Sequence, residues 1–133
     1  MSSTCLLFVQ KAWNTKTKQA QQALTKGATT EALYLHLEAM IRAEVLQQNL
    51  LKCICTGIPI CKCYTQTCIN LANTYQMLKD KQNAERHIQK AKYYLNLLSN
   101  NLSQSLSSKL QINELKKEVE SAYIFITNDK QVI

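Results

Sequence analysis

The chain has 133 residues, of which only two are glycine and one is proline. That length suits one domain with a core of its own, and so few turn-forming residues exclude the many-turned β-sandwich, the barrel and the glycine-rich open sheet. At 46% hydrophobic residues it is not a disordered composition, so the expectation is a single all-α domain, and the formal net charge of +7 makes it a basic one.

Five helices are expected, in antiparallel hairpins. The first runs from about Cys5 to Lys26, in good helix formers, and Gly27 stops it. Thr29 or Thr30 is placed to cap the second, with Glu31 in its first turn favoured by the helix dipole. That helix carries Ala32, Leu35, His36, Ala39, Ala43, Leu46, Leu50 and Cys53 at steps of three and four, a single apolar stripe. It is expected to continue to Thr56-Gly57-Ile58-Pro59, where glycine suits a stop and proline a new first turn.

The third helix, about Ile60 to Lys79, carries Cys61, Tyr64, Cys68, Leu71, Ala72, Tyr75 and Leu78 on one face. The fourth starts near Asp80, a candidate N-cap, and carries Ala84, Ile88, Ala91, Tyr94, Leu95 and Leu98. The serine- and asparagine-rich stretch 99–108 reads as a loop. A fifth helix, about 109–127, carries Leu110, Leu115, Val119, Ala122 and Phe125 or Ile126, and the tail 128–133 is expected to fray.

Within this series one pattern recurs. Leu71-Ala72-x-x-Tyr75 is followed by Ala84-x-x-x-Ile88-x-x-Ala91, so small residues on two helices allow a close approach that Tyr75 and Ile88 fill. This segment resembles the tetratricopeptide repeat, with Cys68 standing where that repeat has a large residue. Upstream, Ala20-x-x-Ala23, Gly27 and Ala32-x-x-x-His36-x-x-Ala39 fall in the same frame, 52 residues earlier. The resemblance implies repeat-like units at about 14–50 and 64–98, a right-handed stack, and a C-terminal capping helix. It also implies that the first helix of each unit lines a groove for a protein or peptide partner. The inward positions are then Asn14, Thr17, Lys18, Gln21 and Leu24, and Gln66, Ile69, Asn70, Asn73 and Gln76. Of these, Lys18, Gln21, Asn70, Asn73 and Gln76 are the candidate partner-binding residues. Amides suit an extended peptide backbone and the lysine suits a carboxylate.

Charge points to the kind of partner. Residues 1–30 and 45–79 contain lysines and no acid, a surface that attracts an acidic protein, nucleic acid or anionic lipid. No nucleic-acid module is recognisable, and no apolar run is long enough to span a bilayer, so the expectation is a cytoplasmic protein that binds an acidic partner or a second copy of itself, with neither nucleic acid nor a membrane as its partner.

The second class of function rests on thiols. Cys53-x-Cys55 and Cys61-x-Cys63 flank a Gly-Ile-Pro turn, and thiolates hold soft metals such as zinc or copper. Against this, Cys53, Cys61 and Cys68 fall on apolar stripes, where cysteine packs as a small hydrophobe. Core packing, a metal site at Cys53, Cys55, Cys61 and Cys63, and redox chemistry are therefore three open accounts. His36 falls at a packing position and His87 at the edge of a helix face. No catalytic spacing of serine, histidine and acid, and no phosphate-cradling loop, is present, so no enzymatic activity is expected.

Overall fold

The computed structural model describes residues 1–101 and 106–128, and all regular structure among them is helical. Six helices follow one another: α1 (Ser3–Thr25), α2 (Thr29–Gln48), α3 (Leu50–Thr56), α4 (Ile60–Met77), α5 (Lys81–Asn101) and α6 (Leu106–Asn128). α1 packs on α2 and α4 on α5 as hairpins, α2 packs on α4 to join the pairs, and α6 lies against both α4 and α5.

The expected five helices become six because the second breaks at Asn49. Its side-chain amide donates to Val45 O (2.9 Å), the acceptor its backbone N–H would take in a continuing helix. The N–H turns instead to Leu46 O (3.0 Å), an instance of asparagine competing with the helix for its own backbone. The short α3 that results still buries Cys53, whose thiol donates to Leu46 O (3.3 Å). Other ends shift by small amounts. α2 begins at Thr29 with Ala28 in the cap position and no side-chain cap, and Pro59 sits one residue before α4.

The expected loop at 99–108 is shorter. Helix continues to Asn101, Ser99 returning its hydroxyl to Leu95 O (2.9 Å), and resumes at Leu106. Residues 102–105 and the tail 129–133 lie outside the described residues, whereas Asn128 is helical.

The two hairpins turn in the same way. α1 ends with Ala28 N–H donating to Ala23 O (2.8 Å), and α4 ends with Asp80 N–H donating to Tyr75 O (2.9 Å), each bond reaching back five residues. This is the Schellman closure, which needs a left-handed residue just before the donor. Gly27 supplies it at φ +79° and Lys79 at φ +64°. The positions are 52 residues apart, as are Ala20 and Ala72, Ala32 and Ala84, and Ala39 and Ala91, all fully buried. Asp80 then caps α5 through Asn83 N–H (3.2 Å).

Packing follows from those alanines. Ala20, Ala23 and Ala32 form a small cluster between α1 and α2. A larger core draws Leu6, Leu46, Cys53, Cys68, Leu71, Ile88, Leu95, Leu115, Val119 and Ile126 from all six helices. Between the hairpins, the Trp13 indole N–H donates to Thr67 Oγ1 (2.7 Å), whose own hydroxyl donates to Cys63 O (2.7 Å). The Tyr64 and Tyr94 rings meet at 4.3 Å.

The paired turns make a direct test. At Lys79 a left-handed L-residue is strained, so Lys79→Gly should raise unfolding stability by about 0.5–1 kcal/mol. Gly27→Ala meets no atom within 4 Å, so it should lower stability through the dihedral alone, by about 1–2 kcal/mol. Denaturant unfolding of the two variants checks both signs.

Candidate functional site

Side chains at positions 62, 66, 69, 73 and 76 recur at steps of four and three, so they share one face of α4. That face borders α1 at its start and α6 at its end, with a cleft at each border. The cleft toward α6 has a volume of about 610 Å³. Ile69, Asn73, Gln76 and Met77 form its α4 wall, and Ala122 and Phe125 belong to the α6 wall. Lys79 and Glu118 place one charge of each sign on its rim. Met77 is 56% exposed and Phe125 63% exposed, so two large apolar side chains stand in water at an apolar cleft.

The cleft toward α1 has a volume of about 530 Å³ and a different character. Trp13, Asn14, Gln10 and Lys11 face Pro59, Lys62 and Cys63 across it. Both charges are lysines.

The sequence-predicted site residues divide between the two clefts and the surface. Asn73 and Gln76 come together on the α4 wall, with Ile69. Asn14 lies in the α1 cleft. Asn70 turns inward: it is only 8% exposed, and its side-chain oxygen accepts from the Gln66 amide (3.0 Å). Lys18 and Gln21 are exposed on α1 but line neither cleft. Met77 and the whole α6 wall fall outside the repeat frame, in which α6 is only a cap. The adjacent Phe125 and Ile126 carried a signal, since two neighbours cannot share one helix face. Ile126 takes the core and leaves Phe125 outside.

The thiols do not gather into a ligand set. Cys55 is exposed, Cys61 is half-buried, and Cys53, Cys63 and Cys68 are buried. Among the described residues no three His, Cys, Asp or Glu side chains come together as metal ligands would. Burial pushes the Cys63 thiol up to about 11 and Cys68 to about 12, and raises Cys53 and Cys61 as well. Such thiols stay protonated at neutral pH, and the thiolate is the form that attacks or binds metal.

The histidines are interior. His36 is fully buried and neither of its ring nitrogens is hydrogen-bonded. His87, expected at the edge of a face, is buried too, stacked on the Tyr75 ring at 5.5 Å. Burial pulls both down to about 4, with Lys90 and Arg86 adding to the effect at His87. Elsewhere charge is tied between helices: Lys16 meets Glu38 at 2.7 Å, holding that carboxyl below its ordinary range, and Lys92 meets Glu120 at 3.6 Å while lying over the Tyr123 ring.

Comparison with protein families, curated proteins and solved structures returns no match for this chain.

The buried histidines fix a pH dependence. In the unfolded chain each takes a proton near 6.5, and in the folded protein only near 4. The unfolded state therefore binds more protons between these values, and stability falls as pH falls through that window. The loss is roughly 3 kcal/mol per histidine, complete near pH 4. Denaturant unfolding at pH 7 and pH 4.5 should show it, and His36→Met with His87→Met should flatten the dependence.

Proposed function

We propose that this chain is a non-catalytic cytoplasmic scaffold that binds an extended segment of a protein partner along the face of α4 that carries Lys62, Gln66, Asn73 and Gln76. The reading takes α1–α2 and α4–α5 as two tetratricopeptide-like units in a right-handed stack, with α6 as the closing helix. It is supported by the matched turns and buried alanines 52 residues apart. The observation that carries the binding role is the α4–α6 cleft, where Met77 and Phe125 stand exposed beside Asn73 and Gln76.

The physical argument is one of complementarity. An apolar cleft of this size accommodates one or two large side chains, and burying each removes apolar area from water. The amides alongside can pair with the N–H and C=O groups of an extended backbone, which supplies affinity without sequence demands. From Lys62 to Gln76 the face is about 21 Å long at the ~1.5 Å rise of a helix. An extended segment of about six residues covers that length. Lys62 and Lys11 at its far end favour an acidic residue there.

Selection of displayed peptides on the purified protein tests this. Recovered peptides should carry a large apolar residue several positions from an acidic one. Their affinity should fall about tenfold or more on Met77→Ser/Phe125→Ser, the effect of losing the burial of one such side chain. Gln21→Ala, on the remote part of α1, should leave it unchanged. Selected peptides indifferent to Met77 and Phe125 would contradict the proposal.

A further inference from the structure

Chain direction alternates along the hairpins, so the start of α1, the end of α2, all of α3 and the start of α4 share one end of the bundle. Two contacts hold α3 against the start of α1. The Lys52 ammonium donates to Met1 O (2.8 Å), and the Thr56 hydroxyl donates to Ser3 Oγ (3.3 Å). The side chains this end turns to water are unusual for an exposed surface. Leu51 is 72% exposed and Phe8 68%, with Leu7 and Ile54 about half exposed.

The charge around them has one sign. Lys11, Lys52 and Lys62 are exposed, and no acid occurs anywhere in α1, α3 or α4. Glu44, the last acid of α2, is engaged with Lys90 of α5 at 3.9 Å. No helix among the described residues is long and apolar enough to cross a membrane.

We propose that this end of the bundle docks on an anionic lipid surface, with Phe8, Leu51 and Ile54 entering the interface and Lys11, Lys52 and Lys62 meeting the phosphate and carboxylate groups of the lipids. A nucleic acid satisfies the lysines and leaves the apolar side chains in water. A peptide needs a concave seat, and Leu51 and Ile54 stand outward on a seven-residue helix at the tip of the bundle. A lipid interface takes both kinds of side chain at one level, because the charged headgroups lie directly above the acyl boundary. Lysine stems extend from the apolar level to the charged one. The docking end lies beside the α1 cleft and at the other end of α4 from the α6 cleft. A bound membrane therefore leaves the α6 cleft open to solvent.

Vesicle sedimentation of the full chain tests the proposal. The chain should pellet with phosphatidylcholine vesicles containing phosphatidylserine and stay in solution with phosphatidylcholine alone. Leu51→Ser/Ile54→Ser, which leaves the charge unchanged, should weaken the partition about tenfold. Lys11→Gln/Lys62→Gln, which leaves the apolar side chains unchanged, should do the same. Circular dichroism of both variants should match the parent, since all four side chains are exposed. Three results would overturn the proposal: no pelleting with either vesicle, equal pelleting with both, or phosphatidylserine binding unaffected by Leu51→Ser/Ile54→Ser. The last would mark simple attraction to any polyanion, nucleic acid included. Lys11 and Lys62 serve both proposals, so the apolar pairs separate them: Leu51→Ser/Ile54→Ser should leave peptide affinity unchanged, and Met77→Ser/Phe125→Ser should leave vesicle binding unchanged.

Discussion

Helix pairs in this molecule approach one another across methyl groups. Ala20, Ala32 and Ala39 in the first hairpin and Ala72, Ala84 and Ala91 in the second have no exposed surface. A leucine at any of them would add three carbons where the partner helix already stands, and overpacking of that kind costs about 1–3 kcal/mol. The close approach has a second consequence. Two helices that meet on small residues bury little apolar area between them, so each hairpin needs a neighbour. The large core side chains come from all six helices for that reason.

What remains exposed follows from how that stacking ends. α4 packs on α5, on α2 and partly on α6, and the face left over carries Lys62, Asn73 and Gln76. α6 joins this arrangement through Ile112, Leu115, Val119, Ala122 and Ile126. With that stripe committed inward, Phe125 is left beside the cleft with α4. The cleft is thus a remainder of the packing, and its apolar wall is what α6 leaves uncovered. Thiols and imidazoles, the groups with most chemical reach, have largely gone into the core, where burial keeps the thiols protonated and the imidazoles neutral.

Helical class, the hairpin turns and most of the core were readable from residue order, because the alanine spacing and the stops at Gly27 and Gly57 are local signals. The break at Asn49 was not, since it depends on which donor reaches Val45 O, and both donors belong to the same residue. Ser99 likewise reads as a loop former until its hydroxyl is seen returning to Leu95 O. Of the residues the repeat frame places on one groove, Asn73 and Gln76 line the α4–α6 cleft, while Asn70 is turned inward to Gln66. The α6 wall is only half legible: the adjacent Phe125 and Ile126 show that one of them faces out, and only packing on α4 and α5 decides which. For the cysteine pairs, residue order leaves core packing and a metal site both open for a related reason. Spacing in the chain brings them near one turn, and helix rotation then sends Cys55 outward and Cys63 inward.

Central to this account is that two alanine-lined hairpins lie directly on one another. The chain's single tryptophan reports on that contact, since Trp13 of the first hairpin donates its indole N–H to Thr67 of the second. Proton NMR of the indole N–H is the most direct measurement. A nuclear Overhauser contact to the Thr67 methyl and slow exchange with solvent are expected. Exchange at the rate of a free indole, with no contact across the hairpins, would contradict it.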